Sequence, residues 1–420
     1  MPFIQPPVQP LPPDLDVSGL SIIVTGASSG LGLEFSRQYL IRGASTLILA
    51  VRDIAKGEQT KLLLKSDPQV LNSNRQADIR VMLFDAASYR SIKSFLDTAN
   101  HELKQLHILM LNAGDNGFNY AQTIDGHERT IQVNHLANAA LIFGFLPLLE
   151  QTTKQSGKQT RISVTGSRMS IATPLCKDPA QGTAQNVLQY LDDRRHFQGL
   201  TRYGDSQLLI LLFIHRLGKL YDSDTVIINN FCPGMVNTSM TKSLPWYIRA
   251  PAATMRNLRG VRKVEQGGWI GLNAAVVAGP ESHGQLISDT QLEHVDSFYN
   301  SEVIHALEEK IWSETVNDVA KVVDAPVWGS EVINITPPFL QQRFSRHQGG
   351  LDLKYIVLRR GTILLPILAN HEIKDAKQIK KVEQNSVANL DTWYSVIDDT
   401  EDKNSEIAPK EIDFTRKMTG

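Results

Sequence analysis

Cysteine is scarce: Cys176 and Cys232 are the only two in a chain of 420 residues. Two thiols cannot staple a disulfide scaffold, and their spacing matches no metal motif, so a reducing compartment is expected, read here as the cytoplasm. Histidine is scattered, and no His-Glu-x-x-His pattern occurs, so no catalytic metal is expected. An excess of either charge is also missing. With 43 Lys+Arg against 44 Asp+Glu, the net charge is −1 and nothing predicts a nucleic-acid partner or an anionic membrane surface. The most apolar run, LLILLFI at 208–214, is far too short to span a bilayer. The opening stretch MPFIQPPVQPLPPDL has no basic segment followed by an apolar one, so it is not expected to act as a signal peptide.

What remains is an ordinary globular composition, 42% hydrophobic and 21% charged, with ample length for a large core. Residues 1–17 form a proline-rich segment expected to lie extended on the surface. From residue 18 short β-branched runs alternate with amphipathic stretches. LSIIVTG, STLILAV, IRVMLFD, LHILMLNAG, TRISVTG and TVIINNFCPG read as six strands. Between them lie helical segments such as LGLEFSRQYLIRG and the long HERTIQVNHLANAALIFGFLPLLEQ. Strands apolar on both faces and separated by helices predict an α/β fold, a doubly wound parallel sheet of Rossmann type, over 18–325. Residues 326–420 form a C-terminal extension of mixed character, expected to be partly disordered and ending near the acidic run DDTED.

Between the first strand and the first helix stands TGASSGLG, Thr25 to Gly32. Glycine there permits a tight turn and close backbone approach, and a helix N-terminus offers free N–H groups to a pyrophosphate. The spacing T-G-x-x-x-G-x-G resembles that of the short-chain dehydrogenase/reductase family. Further motifs extend the resemblance over roughly 19–320, about three quarters of the chain: NAG at 112–114, Asn134 in DGHERTIQVNHLANAALI, Ser167 in RISVTGS, the RYGDSQ helix, and FCPGMVNT. The stretch VEQGGW…GPESHGQLISD resembles retinol-dehydrogenase-like and fungal biosynthetic members. The resemblance implies that Gly26, Ser28, Ser29, Gly30, Leu31 and Gly32 cradle a dinucleotide. It places Asn112, Ala113 and Gly114 on its adenine side, with Asp85 as an adenine contact, and Pro233, Gly234, Val236 and Thr238 beside the nicotinamide.

An acidic residue at the tip of the second strand would bind the ribose hydroxyls and favour NAD. Here LILAVRD puts Arg52 just past the strand, with Lys56 one turn on and Asp53 one place late for the ribose. A guanidinium can fork onto a 2′-phosphate, so NADP is the expected cofactor.

For the chemistry, the resemblance implies that Tyr203 is the general acid/base, that Ser167 binds the substrate oxygen, and that Asn134 holds a relay water. The family's lysine, four residues after the tyrosine, binds the nicotinamide ribose and stabilises a tyrosinate. This chain has Gln207 in its place. An amide still hydrogen-bonds, but the charge is gone. An unperturbed tyrosine, with a pKa near ~10, is only about 0.1% phenolate at neutral pH. Ketone reduction starts from the neutral phenol and should suffer less than alcohol oxidation. Arg202 points off another side of the helix, and Arg168 follows Ser167 closely enough to be a candidate substitute cation.

An insertion between Ser167 and Tyr203, RMSIATPLCKDPAQGTAQNVLQYLDDRRHFQGLT, predicts a loop with a short helix near the pocket mouth. SMTKSLPWYIRAPAATMRN, with Trp246 and Tyr247, falls where a lid is expected. The leading expectation is an NADP-dependent oxidoreductase that reduces a carbonyl, or oxidises an alcohol, on a hydrophobic small molecule, placed by its resemblance among fungal secondary-metabolite enzymes. The alternatives are a non-redox member that keeps the nucleotide site, acting as cyclase, isomerase or binding protein, and an inactive relic. Similar enzymes are often homo-oligomers, and nothing in these residues shows one.

Overall fold

The computed structural model describes residues 5–176, 186–238 and 261–324, and the backbone of Lys354–Ile356 and Leu365–Ile367. The middle of the insertion, the expected lid with Trp246 and Tyr247, and nearly all of the C-terminal extension lie outside the described residues. The chain divides into two compact units, Met1–Pro326 and Val327–Gly420. In the second, Lys354–Ile356 pairs antiparallel with Leu365–Ile367.

The first unit is built on strands β1 (Ser21–Thr25), β2 (Thr46–Val51), β3 (Asp78–Leu83), β4 (Ile108–Leu111), β5 (Thr160–Thr165), β6 (Val226–Cys232), β7 (Leu286–Ser288) and β8 (Gln291–Leu292). Their order in the sheet is β3-β2-β1-β4-β5-β6-β7-β8, parallel throughout except for β8. The chain moves outward from β1 to β3, then crosses to β4 on the other side of β1. That reversal opens a crevice at the carboxyl ends of β1 and β4, where α/β sheets bind ligands.

The helices are α1 (Gly30–Ile41), α2 (Ile54–Ser66), α3 (Pro68–Ser73), α4 (Tyr89–Glu102), α5 (Arg129–Ser156), α6 (Val187–Asp192), α7 (Arg202–Leu220), α8 (Val264–Leu272), α9 (Asp296–Tyr299) and α10 (Glu302–Val319). Strand side chains alternate between two buried faces. Ile22, Val24, Leu47, Leu49, Ile108 and Met110 join Phe35, Tyr39 and Leu40 of α1 and Ile270 of α8 in one core. Ile23, Ile48 and Leu109, on the other face, are equally buried. Burial of each such side chain contributes about 1.5–3 kcal/mol, which is why these strands read as continuous apolar runs rather than as an alternation.

Two features depart from a plain reading of the sequence. The long α5 is interrupted by a π-helical turn, Gln132–Leu136, a distortion that often marks a functional site. Although α5 is long and apolar enough to cross a membrane, 89% of its most apolar window is buried inside the protein, as a core helix would be. Strands β7 and β8 were not expected. They form a hairpin whose two-residue loop, Asp289-Thr290, has φ +55° and +69°. Such loops are normally flagged by glycine or asparagine, and neither is present.

The insertion before α7 is fastened by His127. Its Nδ1 lies 2.8 Å from Asp192 Oδ2 at the end of α6, and its Nε2 lies 3.1 Å from Asp318 Oδ1 on α10. Tyr89 at the start of α4 donates to the same Asp318 carboxylate. Burial alone would depress the His127 pKa, but hydrogen bonds to the two carboxylates, and their charges, raise it to about 9. The linkage follows: with a folded pKa above the unfolded value near ~6.5, the clamp stabilises fully below that value and is lost as pH rises through about 9. We therefore expect the melting temperature to fall between pH 7 and pH 10 in the wild type. The fall should be clearly smaller in His127→Gln, and parallel curves would show that the imidazolium contributes nothing.

Candidate active site

At the end of β1, Gly26 has φ +65° and Gly30 φ +57°. Thr25 Oγ1 accepts from the backbone N–H groups of Asn112 and Ala113, each at 2.9 Å, and Asn112 Nδ2 donates to Thr25 O at 3.0 Å. The glycine loop is thus bonded to the NAG segment across the switch point. The approach is close: a Cβ on Gly26 would sit 3.0 Å from Ala113 Cα, and one on Gly32 only 2.4 Å from Gly26 O. Ser29 occupies the N-cap of α1 without using its side chain, and no acidic residue lies in the first turn. The helix end, with Ser28 and Leu31 beside it, is left open to an anion.

Arg52 and Lys56 are exposed at the tip of β2, and neither side chain has a hydrogen bond or ion pair among the described residues. Asp53 is already committed: its carboxylate caps α2 by accepting from Lys56 N at 3.1 Å. Asp85 follows β3, with its Oδ1 accepting from Ala87 N at 3.0 Å. Gly114 is near Asn134, since a Cβ there would lie 3.4 Å from Asn134 Oδ1.

Asn134 sits in the π-helical turn of α5, and both of its amide hydrogens are engaged. Nδ2 donates to Asp115 O at 2.8 Å and to Ser206 Oγ at 2.9 Å, while Oδ1 accepts from Asp115 N at 2.7 Å. Its carbonyl accepts from Asn138 Nδ2 at 2.8 Å. The side chain is a strut between the loop after β4 and helix α7, and its amide has no hydrogen left for a relay water.

Ser167 ends the turn after β5 and accepts from Met169 N at 3.2 Å. Gly166 stands where similar enzymes often have a second serine. The reason is local: a Cβ there would fall 1.8 Å from Asn230 Oδ1. Tyr203, in the first turn of α7, has its hydroxyl beside the Ser167 side chain. The tyrosine residue is only half-buried, yet desolvation at its hydroxyl, with Cys232 adding in the same direction and Ser167 opposing it, pushes the pKa up to about 12. Gln207, one turn further on, is 5% exposed, and its Oε1 has no hydrogen-bond partner among the described residues.

Neither nearby arginine replaces the missing cation. Arg168 pairs with Glu293 at 3.1 Å. Arg202 is 1% exposed and turned toward the insertion, where it donates to Leu191 O at 2.7 Å and His196 O at 3.3 Å and lies over the Phe197 ring. Pro233 and Gly234 follow β6, and Val236 bridges to Arg262. That turn lies against the glycine loop: a Cβ on Gly30 would be 3.7 Å from Thr238 Cβ, and one on Gly267 would be 2.5 Å from Leu31 and 3.1 Å from Val236. Sequence reasoning did not single out Cys232, Ser206 or Arg262. A lone cysteine, a serine inside a helix and an arginine in a loop carry no pattern that would have drawn attention to them.

The buried, unpartnered Gln207 Oε1 and the glycine cradle fit a dinucleotide whose ribose hydroxyl would complete the amide and whose pyrophosphate would lie on α1. Gly32 tests the cradle. Alanine normally stabilises a helix by about 1 kcal/mol over glycine. Here its methyl would overlap the Gly26 carbonyl, so Gly32→Ala should cost about 1–3 kcal/mol and abolish nucleotide binding. Thermal denaturation and a fluorescence titration would check both, and unchanged binding would mean that the loop has room to spare.

A family model for short chain dehydrogenases matches residues 21–175. The short-chain dehydrogenase/reductase tropG of Talaromyces stipitatus is 41% identical over 324 residues, covering 77% of this chain and 98% of that protein. The short chain dehydrogenase macD of Penicillium terrestre is 39% identical over the same length and coverage. Among solved structures, an uncharacterised protein of Mycobacterium paratuberculosis aligns with TM-score 0.51 at 21% identity, covering 74% of this chain and 96% of its own, a likeness of fold alone. With these matches the chain belongs to the short-chain dehydrogenase/reductase family of oxidoreductases.

Proposed function

We propose that the protein uses NADP and works as a carbonyl reductase on a hydrophobic small molecule, in a fungal biosynthetic setting. The observation that carries this reading is Tyr203: beside Ser167, desolvated and held neutral with a pKa of about 12. A neutral phenol is the form that donates a proton to a carbonyl oxygen. The same shift penalises alcohol oxidation, which must begin from phenolate.

The glycine loop and the open end of α1 would hold the pyrophosphate, Asn112 to Gly114 and Asp85 would flank the adenine, and Gln207 would accept from the ribose. Arg52 and Lys56, unpaired while Asp53 is spent on a helix cap, suit a 2′-phosphate. Reduced nicotinamide, when bound, supplies the hydride. Ser167 would orient the substrate oxygen, and Tyr203 would give its proton to that oxygen as the carbon accepts the hydride, leaving a tyrosinate to be reprotonated from solvent. Met169, whose carbonyl would lie 3.2 Å from a Cβ on Gly204, and Leu200, three residues before Tyr203, are both exposed and favour an apolar substrate.

Two experiments test the reading. Following NADPH absorbance with aromatic and polyketide-like ketones, we expect slow wild-type turnover that rises ~10²-fold or more in Gln207→Lys, since matched acid/base catalysis is worth roughly 10²–10⁴. The reductive rate should be flat with pH from neutrality toward about 12, while any oxidative rate climbs with pH over that range. No turnover in either protein, with NADPH still bound, would favour a non-redox role for the site, as the absent lysine charge also does. Separately, Arg52→Ala should weaken NADPH by about 10-fold or more and leave NADH within about twofold, the value of a charge-assisted hydrogen bond. Equal weakening of both would remove the NADP assignment.

A further inference from the structure

The N-terminal arm belongs to none of the family motifs, yet it is bonded to the turn that the cofactor reading places beside the nicotinamide. Gln5 presents a primary amide to the Met235 peptide: Nε2 donates to Met235 O at 3.0 Å, and Oε1 accepts from Met235 N at 2.6 Å. Next to it the Pro6 carbonyl accepts from Arg262 Nη2 at 3.0 Å. The same guanidinium donates through Nη1 to Pro233 O at 3.0 Å and pairs with Asp289 of the β7–β8 hairpin at 2.5 Å. Arg262 is 4% exposed. Its backbone also holds the turn, its N–H donating to Met235 O at 2.9 Å and its carbonyl accepting from Asn237 N at 3.0 Å.

Gly234 makes the arrangement possible. Its φ is +72°, and a Cβ there would lie 2.1 Å from Gln5 Oε1 and 2.4 Å from Arg262 Nη1. Further along, the arm is anchored in the core: Leu11 and Val17 are buried there, with Val8 and Leu15 packed against it. The arm is therefore a fixed strut whose first described residue, Gln5, reaches the turn. That turn needs outside support, because it combines a left-handed glycine with an exposed Met235 before reaching Val236 and Thr238 over the glycine loop.

We infer that Gln5 and Arg262 are positioning residues for the nicotinamide half of the cofactor site, acting through the 233–238 turn. The inference rests on the cofactor reading above. The adenine half is built on β1, β2 and β4, whose core the arm meets through Leu11 and Val17, residues that a change at Gln5 leaves in place, so the two halves should respond differently. The test uses two ligands: NADPH, and adenosine 2′,5′-bisphosphate, which lacks the nicotinamide. Each is titrated into the full-length wild type, Gln5→Ala and Gln5→Glu, the last placing a carboxylate against the Met235 carbonyl.

The expected result is a NADPH dissociation constant raised by about tenfold, more in Gln5→Glu than in Gln5→Ala, with the bisphosphate within about twofold of wild type. If Gln5→Ala lowers the melting temperature, Gln5→Met keeps the aliphatic stem without the amide and carries the comparison. Unchanged NADPH affinity, or equal weakening of both ligands, would overturn the inference. A wild type that binds neither ligand would instead remove the cofactor reading, and this inference with it.

Discussion

The candidate site turns on a phenol with an amide, not a cation, one helical turn away. Tyr203 opens helix α7, and desolvation drives its hydroxyl toward the neutral form. In the family pattern a lysine offsets that burial; here the position is Gln207, buried and uncharged. The two arginines close in sequence are committed elsewhere, Arg168 to Glu293 and Arg202 to the carbonyls of the insertion. Releasing the buried Arg202 guanidinium would leave carbonyls and charge unpaired, a cost of several kcal/mol that holds it in place. A hydroxyl held in its neutral form is suited to donating a proton, which is what the reductive reading proposed above requires.

Around the phenol the chain invests in close backbone approach and saturated hydrogen bonds. Thr25 bonds two successive N–H groups across the switch point, and the glycines on either side leave no room for a side chain. Asn134 uses both amide hydrogens and its oxygen to join the loop after β4 to α7. The π-helical turn that carries it breaks the regular ladder of α5 there. Asn230 fills the space beside Gly166, which accounts for a glycine where similar enzymes often have serine. Each contact fixes a reacting group by packing or by a satisfied polar partner, the condition for holding a site to a fraction of an ångström.

The fold was largely legible because its signals are local. Six of the eight strands announce themselves as apolar runs, since burial on both faces removes the need for polar residues. The β7–β8 hairpin was hidden because its loop reaches positive φ with aspartate and threonine, not glycine. The family motifs likewise named Gly26, Ser167, Tyr203 and Gln207, since turn geometry and the one-turn spacing on a helix are written in neighbouring residues.

Other properties were settled only when distant segments met. Asp53, one place late in sequence for the ribose, was given its use only when its carboxylate was seen capping α2. Arg168 could have been a substitute cation until Glu293, from beyond β8, was found against it. Asn134 could have donated its amide to a water until Asp115 and Ser206 claimed both hydrogens. By itself the sequence determined the sheet, the glycine cradle and the missing lysine, because each depends on residues within a few positions of one another. The tertiary structure decided which charges remain free and which hydroxyl is desolvated, and it brought Gln5 to a turn more than half the chain away. Electrostatic environment and hydrogen-bond partners are properties of what lies near in space, and spacing along a chain does not encode them.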